Sequence, residues 1–423
     1  MSSAPAEPPP STPPARRVHL RLEADQATSE TTLPGPGGTR TARSGPIAYR
    51  AAPHGLSRWT DPHDGRGYVI GSGALGGAAH FVAGTDGPAD RMPTLVTIVP
   101  LAPDDVVRST GGDVASHHLG LVAGPWWVHQ RPGLEVLARQ SLDRDADVEG
   151  LLADTRRALD WLIDWFGVPV GAAPWGTTYT QVLVPRAPWL AMEHPGCVLL
   201  SERLLDLRPG PRLAVLAHEA AHQWVGNLVS PGAWSDVGMF EGLAELLGQL
   251  ASVDVTGSPG DADLARRRAT GPLTLPPAGP DLRTLEATAG LAEVAGPVQH
   301  AEVLRAARST IGAEAFRSRV RELVRRHAGA VCGVADVWAA LDVAPQTVPT
   351  VRLPHVERPT RAPWLAGLDG CDPATAATTA RRAFRTRPPG PPRVRQALAA
   401  MADPATPYAV SAGLAAELSR SRS

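Results

Sequence analysis

Apolar and polar residues alternate in short runs over the first part of the chain. Val18-His-Leu-Arg-Leu22 and Thr94-Leu-Val-Thr-Ile-Val99 carry every second side chain on one face, the period of a half-buried strand. Gly, Pro and Thr break these runs often, so residues 17–118 read as a truncated β-rich domain with many turns. Beyond about Gly120 the period lengthens. Leu152, Ala158, Leu159, Leu162 and Phe166 fall on or near one face of a helix over Leu151–Phe166, which Gly167-Val-Pro169 stops. Thr180-Gln-Val-Leu-Val-Pro185 reads as a strand ending at a proline. Pro211-Arg-Leu-Ala-Val-Leu-Ala217 opens a helix with proline in its first turn, expected to run to Gly226-Asn227. Further helices are expected from about Met239 to Leu250, over Ala301–Thr310 and over Glu314–His327. Residues 119–345 therefore form a second, mainly helical domain. A disordered Pro-rich arm (1–16) precedes the two domains, and an Arg/Pro-rich tail (346–423) with a weak helix at Val394–Ala402 follows them.

Composition narrows the function. With 423 residues there is room for two or three domains, each with its own core. A net charge of −1 gives no reason to expect nucleic acid or an anionic membrane as partner. Cys197, Cys332 and Cys371 are far apart and lack C-x-x-C spacing, so neither a disulfide framework nor a thiolate metal site is indicated. The N-terminus has no apolar signal core and no run approaches the ~20 apolar residues that span a bilayer, so a cytoplasmic location is the expectation. Trp126-Trp127 reads as core before ligand groove, and His117-His118 as a solvated pair on a strand.

The chemistry lies in His218-Glu219-Ala220-Ala221-His222. Histidines at i and i+4 share one helix face, so both imidazoles reach one ion, and Glu219 is placed to take a proton from a water the metal activates. Eighteen residues separate His222 from Glu241, a candidate third ligand on the following helix. Two imidazoles and one carboxylate leave the fourth zinc position open, as catalysis requires. Glu245, one turn further, reads equally as a group orienting a histidine and as a solvated carboxylate.

Ala217-His-Glu-Ala-Ala-His-Gln-Trp-Val-Gly-Asn-Leu-Val229, then Trp234-Ser-Asp236 and Glu241-Gly-Leu-Ala244, resembles the core of the aminopeptidase N-type gluzincin zinc metallopeptidases. Leu190-Ala-Met-Glu-His194 is similar to that family's G-A-M-E-N segment, with Leu for Gly and His for Asn. Gly55-Leu-Ser-Arg-Trp-Thr-Asp-Pro-His-Asp-Gly65, Leu121-Val-Ala-Gly-Pro125 and Ala301-Glu-Val-Leu-Arg305 with Ile311-Gly-Ala-Glu-Ala-Phe316 extend the likeness over roughly residues 50–340. It implies an α+β molecule, a β-rich N-terminal domain packed on a thermolysin-like, mainly helical peptidase domain. It further implies one zinc per chain held by His218, His222 and Glu241, Glu219 as general base, Glu193 holding the substrate's free amine, and a peptide as the substrate.

The chain also departs from the family. The family's tyrosine that stabilises the oxyanion corresponds to Pro297, in Gly296-Pro-Val-Gln-His300. Losing one such donor typically costs about 10²–10³ in rate. His300 is the candidate substitute. A further family contact to the substrate amine falls on Gly71-Ser72-Gly73-Ala74, which holds no carboxylate. The large C-terminal helical domain of many relatives is not expected, which leaves a more open groove. Two readings follow: a zinc-dependent peptidase acting from the N-terminus, and a zinc-binding pseudo-peptidase that binds peptides or a partner without turnover.

Overall fold

A computed structural model describes residues 15–343, except 36–37, 50–54, 74–77, 79–80, 83–87, 169–176, 186, 188, 234–235 and 258–296. All of these residues belong to one compact unit that ends at Leu353. Residues 1–14, the Arg/Pro-rich tail with its expected helix, Trp234 and Cys371 lie outside the described residues.

The N-terminal part is built from two sheets. The first has the order β3-β2-β1-β6-β8, from β1 (Arg16–Leu22), β2 (Gln26–Gly35), β3 (Gly38–Ala48), β6 (Arg91–Val99) and β8 (Gly112–Ala115). β1 alternates as its sequence predicts, with Val18, Leu20 and Leu22 buried. Arg16, fully buried on the same face, bonds Asp90. β1 pairs antiparallel with β2 (Val18 opposite Thr31) and parallel with β6 (Val18 opposite Val96). The second sheet is antiparallel, in the order β4-β5-β9-β7, from β4 (Gly55–Thr60), β5 (Gly67–Ser72), β7 (Val106–Ser109) and β9 (Gly120–Gly124).

The third sheet has the order β10-β11-β12-β14-β13, from β10 (Trp126–Arg131), β11 (Leu134–Arg139), β12 (Tyr179–Val184), β13 (Ala191–Met192) and β14 (Cys197–Ser201). Its three middle strands run parallel and both edges antiparallel. Side chains of β5 and β9 divide by parity. Val69, Leu121 and Ala123 join Val18 and Leu20 in one core, while Tyr68, Ile70 and Val122 pack with Trp126, Leu137, Val182 and Leu199 in a second. The second sheet is thus covered on both faces, which is why β5 and β9 read as continuous apolar runs. The opposite face of the third sheet (Val136, Leu183, Val198, Leu200) carries the helices and the largest core. These layers make the α+β fold, β-rich first and helical later.

The helices of the described residues are α1 (Asp145–Phe166), α2 (Pro209–Ala221), α3 (Val237–Thr256), α4 (Pro297–Ile311), α5 (Ala313–His327) and α6 (Val334–Leu341). α1 ends where expected, on Gly167 in the left-handed region at φ 70°. α2 stops earlier than its periodicity predicts. After Ala221 the amides of Asn227, Leu228 and Val229 reach back five residues, to the carbonyls of His222, Gln223 and Trp224. Wide turns of this kind open the helix into a loop. α6 has no counterpart in the sequence reading, being only eight residues long. A two-stranded parallel pair, β15 (Ser230–Pro231) with β16 (Val331–Cys332), ties that loop to the end of α5.

Two expectations need correction. His117-His118 is buried, because both residues sit in a tight 3₁₀ turn (Ser116–His118) with ring centroids 3.8 Å apart, not on an exposed strand. Trp126 is core as expected, but Trp127 is 52% exposed. Among the described residues no helix is long and apolar enough to cross a membrane.

Candidate metal centre

Helices α2 and α3 pack closely because α3 has a glycine where they meet. A Cβ on Gly248 would lie 2.5 Å from the Ala214 carbonyl oxygen and 3.2 Å from His218. This contact brings the last turn of α2, with His218, against the second turn of α3, with Glu241. The two Nε2 atoms of His218 and His222 lie 3.1 Å apart. The Glu241 carboxylate is 3.5 Å from His218 Nε2 and 3.6 Å from His222 Nε2. Each residue offers one ligand atom, all within 4.8 Å of one another, a group able to hold a metal ion.

The fit can be tested on the hydrogen bonds. The Val225 carbonyl, 3.0 Å from His222 Nδ1, can only accept, so Nδ1 carries the proton and Nε2 presents a lone pair. His218 Nδ1 lies 3.2 Å from the Glu245 carboxylate, which fixes the same tautomer. Two imidazole lone pairs and a carboxylate converging on one point repel unless a cation sits between them. Ligands of a tetrahedral ion with bonds of about 2.05 Å are about 3.3 Å apart, the range observed here. The residues fit a metal.

The electrostatics agree. Burial disfavours charge on Glu241, but the two imidazoles outweigh it and hold the carboxyl well below the usual carboxylate range. Burial also opposes a proton on His218, yet Glu241 and Glu245 raise its proton affinity well above the ordinary value. That negative field favours a dication at the same point, metal and protons competing for it. Glu219 is 7% exposed, and burial, opposed by His218 and reinforced by Glu193, pushes its carboxyl up to about 7.

Glu193 comes from the other side. It follows β13, the edge strand of the third sheet, and its carboxyl is raised by burial, with His222 opposing and Glu241 adding to the effect. The loop after His222 pins it in place: Asn227 Nδ2 donates to the Glu193 carbonyl (2.7 Å) and Gln223 Oε1 accepts from Gly196 N (3.0 Å). His194 faces away, its Nδ1 donating to the His118 carbonyl (3.1 Å) and its Nε2 accepting from Ser72 Oγ (2.9 Å). Gly120 makes room for it, since a Cβ there would lie 2.6 Å from the imidazole. His300, 2% exposed on α4, lies against Gly242, whose Cβ would be 2.2 Å from that of His300. α4 therefore runs beside Glu241. Pro297 opens α4, and its side chain lies outside the described residues.

Of the residues the sequence predicts for the site, His218, Glu219, His222, Glu241 and Glu193 are gathered here, while His300 is placed only as buried on α4 against Gly242. Sequence reasoning left Glu245 open and missed Val225, Gln223, Asn227, Gln249 and Arg305. Gln249 had a signal, lying one turn beyond Glu245 on the same helix face.

Residues 152–267 match the peptidase family M1 domain. The chain is 24% identical over 332 residues to aminopeptidase N of Streptomyces lividans, covering 70% of this chain and 38% of that protein. It is 30% identical over 119 residues to the thyrotropin-releasing hormone-degrading ectoenzyme of Rattus norvegicus, 26% of this chain and 11% of that one. Over 202 residues it is 25% identical to tricorn protease-interacting factor F2 of Thermoplasma volcanium, 44% of this chain and 25% of that one. The chain spans less than two fifths of the length of each of these relatives. With its H-E-x-x-H helix and the carboxylate of the next helix folded into one centre, the segment that matches the peptidase family M1 domain carries the candidate metal centre, and the chain is similar to aminopeptidase N-like peptidases as a partial and divergent relative.

Proposed function

We propose that this protein is a zinc-dependent peptidase that removes residues from the N-terminus of peptides. The observation that carries this reading is the convergence of His218, His222 and Glu241 beside a buried Glu219. Zinc held there supplies Lewis acidity to the scissile carbonyl and acidifies a water. Glu219, buried beside the three ligands, would take a proton from a water activated there and pass it to the leaving amine. Glu193 receives the substrate's ammonium group. Ser72, engaged by His194, adds no carboxylate of its own to that group. His300 is the candidate donor to the developing oxyanion.

The test is hydrolysis of free and N-acetylated peptides by the zinc-loaded protein and by Glu219→Gln. The wild type is expected to cleave only the free peptide. Glu219→Gln is expected to keep stoichiometric zinc and lose about 10²–10⁴ in rate. Equal rates for the two proteins would reject the reading. Pro297 at the family's tyrosine position favours a second one, peptide binding without turnover. Under it, the wild type binds zinc and peptide but cleaves neither substrate.

A further inference from the structure

Beyond the three ligands, a chain of polar groups leads from the metal centre into α4. His218 Nδ1 meets one Glu245 oxygen at 3.2 Å, and the other Glu245 oxygen accepts from Gln249 Nε2 at 2.7 Å. Gln249 is 4% exposed, and its Oε1 accepts from the Arg305 guanidinium. Arg305 Nε in turn donates to Glu302 at 3.2 Å. The orientation of the Gln249 amide follows from its neighbours. A carboxylate demands an N–H donor and a guanidinium demands an oxygen, so only one arrangement satisfies both. An amide held between an anion and a cation is a fixed, polarised link. Burial opposes charge on Glu245, but His218 and then Gln249 keep its carboxyl below the ordinary value.

We propose that Gln249 and Arg305 are positioning residues of the metal centre. They hold the Glu245 carboxylate on His218, so that Nε2 faces the ion, and they make the grip on the metal depend on where α4 sits. Neither touches a ligand atom directly. Glu245 alone, 22% exposed at its side chain, has a choice of solvent and rotamers. With Gln249 and Arg305 in place it has one position. Loss of such outer partners of a ligating histidine typically weakens metal binding about 10–100-fold.

This inference rests on the zinc reading above, and the experiment separates the two. Zinc affinity is measured by competition with a chromophoric chelator, and the visible absorption of the cobalt(II) form is recorded. Both use the whole chain as wild type, Gln249→Met, Arg305→Met and Arg305→Lys. The two methionine variants are expected to bind zinc about tenfold more weakly or worse, with an altered cobalt band. Lysine at 305 retains a donor for the Gln249 oxygen and is expected to stay within about threefold of wild type. If Gln249→Met does not fold, Gln249→Asn, which keeps an amide one methylene short, carries the same expectation. Unchanged affinity and an unchanged cobalt spectrum in the folded variants overturn the positioning role while leaving the metal centre intact. Failure of the wild type to bind zinc overturns both proposals.

Discussion

Replacing Gly248 by alanine sets two helix effects against each other. Alanine is favoured over glycine in a helix interior by about 0.5–1 kcal/mol, so α3 in isolation would gain stability. In the folded protein the new methyl lies 2.5 Å from the Ala214 carbonyl oxygen and 3.2 Å from the His218 backbone nitrogen and Cβ. Carbon and oxygen approach to about 3.3 Å, so α2 and α3 must part locally by about 0.8 Å. Both neighbours belong to the backbone or lie next to it, and no flexible side chain can yield. Overpacking of this kind costs about 1–3 kcal/mol, leaving a net loss of about 0–2.5 kcal/mol after the helix gain. The separation falls at His218, which would be displaced from its partner on α3, so zinc affinity is expected to drop about tenfold. Urea unfolding of the metal-free protein and zinc competition read the two effects separately. Gly150→Ala is the control. It is also a helix glycine, but its Cβ would meet nothing closer than Arg212 at 3.8 Å, so it should stabilise by about 0.5–1 kcal/mol. A Gly248→Ala protein as stable as Gly150→Ala, with wild-type zinc affinity, would refute the packing argument.

Three further outcomes are expected. His117 has its proton affinity pushed down to about 3 by burial, then by His194 and Arg91, and His118 is held well below its ordinary value by burial, then by His117 and His194. Because folded values below the unfolded value of about 6.5 mean that the unfolded chain binds more protons, stability is full above that pH. It is lost as pH falls towards 3, by up to about 1.4 kcal/mol per pH unit for each histidine, and urea unfolding of His117→Gln between pH 4.5 and 7 should show a shallower slope than wild type. Asp236, just before α3, accepts from Ala233 N (2.9 Å) in the preceding loop and from Val334 N (3.1 Å) at the start of α6. Asp236→Ala should cost about 1–2 kcal/mol of unfolding free energy, and Asp236→Asn, keeping one acceptor oxygen, less; equal stability of all three would discard the role of Asp236 in tying the loop before α3 to α6. Adding zinc at a hundred times its dissociation constant should stabilise the native state by about 2.7 kcal/mol, and a chelator should reverse the shift in a thermal melt.

What the sequence made legible is what local geometry dictates. His218 and His222 share a helix face whatever surrounds them, and β1 alternates because one of its faces is covered. The joining of Glu241 to those histidines is a tertiary fact, and it was readable only because the motif is long and ordered. Its physical cause, a methyl-free contact at Gly248, leaves no periodic signal. The same holds for the end of α2. Periodicity continues past Ala221, but the backbone opens there because Val225 must offer its carbonyl to His222 and Asn227 its amide to Glu193. His117-His118 misled for a related reason: alternation was assumed where a three-residue turn between β8 and β9 buries both rings together. Arg305 illustrates the deepest limit. It lies 56 positions from Gln249 in the chain, and nothing in the intervening composition signals that the two meet. Periodicity reports which face of an element is buried, whereas a metal centre depends on which two faces touch. Hence the candidate ligands can be picked out in the sequence, while the polar groups around them can be seen only in the fold.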